Sequence, residues 1–302
     1  MIRTKEVDSN NKPLFISFSG GETSGFMLWY LLQQYRDKRE IIVLFANTGQ
    51  ENEETLEFVD KCDKKFNANI KWIESRPSLE EGVGVKYEVV DFNSADRNGK
   101  YFEQLIQKNG LPSTESPFCT ERLKSIPMQK YLKDNGYKDS YTAIGIRADE
   151  IDRCGKYWYP LVSLNITKQH VNKFWSEMDF KLQLKGYQGN CKWCFKKSIR
   201  KHLTLINENP EYYDFPKRME EKYANYVPES RIEYREKQGK EPIKLPLQIF
   251  RKNLTVKELE EMAKGFTDYA QDDTKDINYQ TSLINGFELD VSNGCVESCE
   301  IY

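Results

Sequence analysis

PLFISFSGGETSGFMLWY, residues 13–30, is the stretch whose reading decides the fold of this chain. Phe15, Ile16 and Phe18 make a short apolar run of strand type, Ser19 to Ser24 form a turn rich in glycine and hydroxyl groups, and from Gly25 to Tyr35 apolar residues recur at helical spacing. A strand that enters a helix through glycines exposes the unpaired first-turn amides and the positive end of the helix dipole to close approach by an anion. Ser17, Ser19, Gly20, Gly21, Glu22, Thr23 and Ser24 are therefore the candidate phosphate-binding residues. The loop is not a Walker A motif, because no Lys follows a second glycine at the required spacing. Alone, Ser-Gly-Gly reads equally well as an ordinary strand-to-helix turn.

Outward from this stretch the pattern alternates. Strands are expected at 14–19, 41–46, 70–73 and 140–145, and helices at 25–35, 52–66 and 120–135. Such alternation implies an α/β fold with a doubly wound parallel sheet, whose ligands sit at the carboxyl ends of the strands. The loop at 19–24, the turn at 47–49 and Arg147 to Glu150 all fall at such ends. Residues 77–117, polar and interrupted by Gly and Pro around a helix at 101–108, read as an inserted substrate-side lid. From Thr167 onward helices are expected at 167–178, 192–206, 210–225 and 255–265. The resulting division is a flexible arm at 1–12, a nucleotide-binding domain at 13–165, a helical extension at 166–267 and a tail at 268–302.

Composition narrows the classes. The chain has 302 residues, 30% of them charged, with a formal net charge of −2, and a mean hydropathy of −0.75. That balance implies a soluble protein and argues against a surface that coats nucleic acid. No apolar run reaches about 18 residues and the N-terminus is polar, so neither a membrane span nor a secretory signal is expected. A cytoplasmic location follows. In a reducing compartment the seven cysteines point to metal binding or thiol chemistry rather than disulfides.

Cys191 and Cys194 form a C-x-x-C, whose two-residue spacer lets both thiolates face one centre. By itself that pair reads as a redox dithiol or as a zinc site completed by His202 or Cys154 more often than as a cluster site. Cys295 and Cys299 form a C-x-x-x-C near the end of the chain, and Cys62 sits on an amphipathic helix where packing is its expected role. Lys192, Lys196, Lys197, Arg200 and Lys201 place a basic face beside the C-x-x-C, to grip a nucleic-acid or nucleotide backbone or simply to meet solvent.

Five segments in order carry a resemblance that spans roughly residues 13–215. The opening loop resembles the PP-loop of the adenine nucleotide alpha hydrolase superfamily, which includes N-type ATP pyrophosphatases and the phosphoadenosine phosphosulfate reductases. IIVLFANTGQENEETLEFV at 41–59 is similar to that family's second strand, Thr-Gly turn and following helix. FCTERLKSIPMQKYL at 118–132 resembles the Cys-containing stretch that opens a later helix, and GIRADEIDR at 145–153 resembles the strand-end motif facing phosphates and substrate. YPL at 159–161 and GNCKWC at 189–194 are similar to the part of the family that carries paired cysteines.

The resemblance implies a nucleotide site that adds Asn47, Thr48, Gly49, Gly145, Arg147, Asp149 and Glu150 to the loop, with Lys124, Arg122 and Arg147 neutralising phosphate or sulfate and Asp149 and Glu150 available to magnesium. Lys124 and Arg147 are the implied catalytic cations. It places Cys119 beside Cys191 and Cys194, a set that would hold a four-iron four-sulfur cluster with one iron open, zinc being the alternative. Cys295 is the implied tail nucleophile, with Cys299 next to it. The implied ligands are ATP or another adenine nucleotide, a sulfur donor or thiol reductant, and an acceptor that is itself a nucleic acid or nucleotide, with homo-oligomerisation open and no membrane partner. Two reactions fit: ATP-dependent adenylation with sulfur transfer to an acceptor, and reduction of adenylylated sulfate. A protein that keeps the fold and regulates a partner without catalysis is the alternative. The chain departs from the family pattern in three places: Thr23 stands where ATP pyrophosphatases have an acidic residue, Phe118 precedes Cys119 where adenylyl-sulfate reductases have a second cysteine, and the tail lacks the Glu-Cys-Gly-Leu-His ending.

Overall fold

The computed structural model describes residues 12–276 except Glu81 and Glu115. Strand β1 (Leu14–Ser17) leads through the glycine turn into helix α1 (Glu22–Tyr35), followed by β2 (Ile41–Asn47), α2 (Glu53–Phe66) and β3 (Lys71–Arg76). Next come β4 (Lys86–Val90), α3 (Lys100–Asn109), a π-helical turn (Thr120–Ser125) running into α4 (Ile126–Asp134), and β5 (Tyr141–Ile144). A 3-10 turn (Ala148–Arg153) precedes α5 (Pro160–Ser163), α6 (Lys168–Glu177), α7 (Ile199–Glu208), a second 3-10 turn (Pro210–Tyr213), α8 (Asp214–Tyr223), α9 (Glu229–Lys237) and α10 (Val256–Ala263).

The sheet order is β4-β3-β2-β1-β5. β1 pairs in parallel with both β2 and β5, and β2 with β3. Because the chain leaves β1 toward β2 and returns on its other side as β5, the crevice beyond the ends of β1 and β5 is the topological switch point where α/β proteins bind ligands. The pleat divides the strand residues: Leu14, Ile16, Val43, Phe45, Trp72 and Ala143 pack toward α1, α2 and α6, while Phe15, Ile42, Leu44, Ala46 and Ile73 pack toward Met128 and Leu132 of α4. Burial on both faces explains the nearly continuous apolar runs of β1 and β2.

The sheet is not wholly parallel. Segment 77–117, expected as a lid, contributes β4, which pairs antiparallel with β3 at the edge, and α3, whose Phe102, Leu105 and Ile106 share a core with Trp193, Phe195, Leu203 and Met219. Half-exposed residues of KYEVV and its polar flanks conceal that strand in the sequence, because edge strands need little apolar surface. Helix α7 begins at Ile199 rather than near 192, since Ser198 caps it by accepting the Lys201 amide at 3.3 Å. Residues 189–198 are turns instead, and that change seats the cysteines. The tail cysteines Cys295 and Cys299 and the arm at 1–11 lie outside the described residues.

Candidate active site

Gly20 makes the turn out of β1 with φ +83°, and a Cβ there would meet Thr55 Cγ2 at 2.8 Å and Phe45 at 3.0 Å. Both the backbone conformation and the close approach of α2 require glycine. Gly21 caps α1 without a side-chain hydrogen bond, so the first-turn amides of Glu22, Thr23 and Ser24 are positioned as anion donors. A Cβ on Gly21 would meet only Asn190 Oδ1 at 3.4 Å, which makes Gly20 the structurally constrained glycine of the two. The hydroxyls expected to face phosphate instead shape the loop: Ser19 Oγ and Ser24 Oγ lie 2.9 Å apart, Ser24 Oγ donates to the Gly21 carbonyl at 3.0 Å, and Thr23 Oγ1 accepts from Arg147 Nη1 at 3.0 Å.

Gly145, at the end of β5, lets that strand press on α1, for a Cβ there would come within 3.0 Å of Ser24 Cα. Arg147 is thereby laid over the loop. Its guanidinium pairs with Glu150 at 3.0 Å and Asp149 at 3.1 Å, and Arg153 reaches the same Glu150 oxygen at 3.1 Å. The buried Glu150 is thus held between two arginines, which leaves it poorly suited to the magnesium role expected of it. Asp149 does not line the cleft.

One cleft gathers Ser19, Gly21, Glu22, Thr23, Ser24, Lys124, Gly145, Arg147, Glu150 and Cys191 from the expected set. Its other walls include Arg153, Lys168, Lys185, Asn190 and the apolar Val171, Leu182 and Leu184. Basic side chains there outnumber Glu22 and Glu150, which suits an anionic ligand. Burial pushes the Glu22 carboxyl up to about 7, against the pull of Lys181 and Lys168. Ser17, Gly20, Asn47 and Gly49 do not reach the cleft. Asn47 is an internal strut, donating to Glu74 Oε1 at 2.7 Å and the Asp96 carbonyl at 2.8 Å.

Glu51 was not singled out by sequence, and it organises the next turn: its carboxylate accepts from the Thr48 amide at 2.8 Å and the Thr48 hydroxyl at 2.9 Å. It also pairs with the buried Lys124 at 3.4 Å. Segment 189–194 is stitched to this turn. Asn52 N donates to Asn190 O at 3.0 Å and Lys192 N to Gln50 O at 3.0 Å, Trp193 Nε1 donates to Gln50 Oε1 at 2.6 Å, and Asn190 Nδ2 donates to the Ser19 carbonyl at 2.8 Å. The stitching fixes Cys191 where two cavities meet.

The second cavity is small, about 20 Å³, and is lined by Cys119, Cys191 and Cys194 together with Thr48, Glu51, Lys124, Phe102, Trp193 and Phe195. The three expected cysteines therefore share one wall. Among the described residues, however, no group of three or more His, Cys, Asp or Glu is arranged to hold a metal ion. The donor chemistry suits a thiophilic metal, but the thiols as they stand are neighbours rather than a ready ligand set. His202 and Cys154 do not line this cavity. His202 is fully buried with Nδ1 2.7 Å from Tyr213 Oη, and burial, followed by Lys197 and Arg251, holds its pKa well below the usual value. Cys62 is on the buried face of α2, where burial pushes its thiol far up. Of the basic run, Lys197 and Lys201 are buried, so these two do not form a solvent-facing basic surface. Lys197 donates to the Cys191 carbonyl beneath the C-x-x-C turn.

Among the described residues no helix is long and apolar enough to cross a membrane. Residues 13–174 match the phosphoadenosine phosphosulfate reductase domain. The chain is similar to the uncharacterized nin region protein ORF290 of Escherichia phage lambda, 33% identical over 194 residues covering 62% of this chain and 67% of that protein. It is also similar to two uncharacterized proteins of Methanocaldococcus jannaschii, MJ0066 at 28% identity over 46% of this chain and 24% of that protein, and MJ0973 at 30% over 47% and 28%. The chain thus spans about two thirds of the phage relative and only about a quarter of the archaeal ones. With the glycine turn, the switch-point cleft and this match, the chain belongs to the phosphoadenosine phosphosulfate reductase family of the PP-loop adenine nucleotide alpha hydrolase superfamily.

Proposed function

We propose that this chain is an enzyme that binds ATP or another adenine nucleotide in the switch-point cleft and uses it in sulfur chemistry. The observation that carries the reading is the shared wall: Lys124 and Cys191 line both the basic cleft and the thiol cavity, so a nucleotide-activated group and a thiol can meet. In this reading the amides of residues 22–24 and Arg147 hold phosphate, Lys124 neutralises charge on the reacting group, and Cys191 is the thiol nearest to it. Lys124 is held by Glu51 and therefore arrives already oriented.

Cys119, Cys191 and Cys194 are the residues that would hold an iron-sulfur cluster, with zinc as the alternative, and such a group would supply a thiophilic centre beside the nucleotide. Metal, labile-sulfide and zinc analysis of anaerobically purified protein tests this part separately. For the reaction, full-length protein is assayed for pyrophosphate from ATP and for sulfite from phosphoadenosine phosphosulfate. Pyrophosphate release dependent on an added acceptor supports activation with sulfur transfer, and sulfite release supports reduction. ATP affinity without either product, across a broad acceptor screen, would replace both with a non-catalytic binding role.

A further inference from the structure

Residues 268–276, which follow α10, pass along one edge of the cleft, where Thr274 lines it, and are fastened along their length. Arg200 donates to the carbonyls of Asp268 and Tyr269 at 3.0 and 2.9 Å, the Ala270 amide donates to Thr204 Oγ1 at 2.9 Å, and the buried Asn172 donates to the carbonyls of Asp273 and Asp276 at 3.0 and 2.8 Å. Near the end of this strap the two carboxylates before Thr274 are bound to residues of the cleft wall. Asp272 accepts the Gly186 amide at 3.0 Å, and Asp273 pairs with Lys168.

Gly186 gives the seat its shape, because a Cβ there would overlap Asp273 Oδ1. Only glycine leaves room for the carboxylate. That same oxygen is buried with no hydrogen-bond partner, so the strap fills the seat without saturating it. Lys168, Asn172, Gly186 and Thr274 line the same cleft as the glycine turn and Arg147.

Lys168 on Asp273 and the Gly186 amide on Asp272 are an ammonium and a main-chain amide that each hold one of two adjacent carboxylates, and both are groups that would take a phosphate, sulfate or carboxylate of a ligand. We propose that Lys168 and the Gly186 amide form a second anion subsite of the cleft, separate from the glycine turn, which Asp272 and Asp273 occupy until an anionic group of the ligand displaces them. This rests on the nucleotide reading of the cleft. The displacement is feasible because the Lys168–Asp273 pair is about one third exposed, and such pairs contribute little stability.

The test is ATP affinity of the full chain by calorimetry in a double-mutant cycle. The Asp272→Asn/Asp273→Asn variant should bind ATP about tenfold more tightly than wild type, and Gly186→Ala, which evicts the strap sterically, should speed trypsin cleavage after Lys275 without ligand. Lys168→Met should cost less than twofold in wild type but at least fivefold in the Asn/Asn background, since in wild type the lost ligand contact is offset by removal of the Asp273 pair that the ligand must otherwise break. Equal or weaker ATP binding by a folded Asn/Asn variant, or the same Lys168→Met effect in both backgrounds, overturns the subsite. Trypsin cleavage after Lys275 gives a readout independent of nucleotide: inorganic tripolyphosphate should accelerate it in wild type by releasing the carbonyls that Asn172 holds. If ATP binds no variant, the nucleotide reading fails while tripolyphosphate-accelerated cleavage still supports the subsite. No acceleration overturns it.

Discussion

The two cavities that meet at Cys191 are built on opposite principles. The nucleotide cleft is open and basic, and its donors are backbone amides at the start of α1 together with Arg147, Arg153, Lys168 and Lys185. The thiol cavity is walled largely by the apolar Phe102, Trp193 and Phe195 and is too small for a nucleotide. A fixed backbone can receive an ion from solvent with little reorganisation, whereas a dry pocket strengthens whatever charge it holds. In the proposed function their junction is where a bound nucleotide would meet a thiol. Each half can be damaged alone.

The largest effect is expected at the dry side. Trp193 is 1% exposed, stacks on Phe102 and Phe215 with ring centroids 5.4 and 5.7 Å apart, and ties the C-x-x-C turn to Gln50. Trp193→Ala should cost about 3–5 kcal/mol of stability, read as a lowered denaturation midpoint with unchanged slope. A loss below about 1 kcal/mol would mean that the aromatic wall does not hold the cavity.

On the wet side, Arg147→Ala should weaken ATP binding by roughly 10- to 100-fold, as expected for about 1.5–3 kcal/mol from a charge-assisted contact, while Arg147→Lys retains part of it. Calorimetric titration measures this. Equal affinity in the alanine variant would move the phosphates away from β5.

The smallest effect concerns pH. Glu22 and Glu220 are both raised by burial to about 7 from 4.5, so the neutral carboxyl is the form compatible with the fold. Stability from these groups is fully present below about pH 4.5 and is lost as pH rises through about 7. Only Glu22 lies in the cleft, so ATP affinity should also fall by a few-fold from pH 6 to pH 8, and Glu22→Gln should flatten that profile. A wild-type profile that rises over this range would show that Glu22 is charged throughout.

The wet half was far more legible in the sequence than the dry half, for a physical reason. The strand, glycine turn and helix of residues 14–35 contain their own geometry, because propensity, helix polarity and glycine access act over a few residues. Arg147 and Gly145 were legible through a motif at a strand end. Glu51, Asn190 and Gln50 were not, since each acts through a bond to a segment that is distant in sequence: Asn190 reaches Ser19, and Trp193 reaches Gln50. The lysines at 192–201 looked like one basic surface, but the turns before Ser198 bury Lys197 under the Cys191 carbonyl. The strap at 268–276 gave no periodic signal at all. Its seat depends on Gly186 and Lys168, two ordinary residues until Asp273 is placed between them. For the glycine turn the only surprise was which groups serve it: the hydroxyls of Ser19 and Ser24 close the loop on itself, leaving anion binding to the amides.

Site-resolved amide hydrogen exchange of the full chain with and without saturating ATP decides whether an adenine nucleotide is held by the start of α1 beside the thiol cavity. Protection should appear at residues 21–25, 145–150 and 189–192, and the sheet edge at 86–90 should exchange as before. Binding of ATP that leaves residues 21–25 unprotected, or no protection anywhere at millimolar ATP, would contradict it.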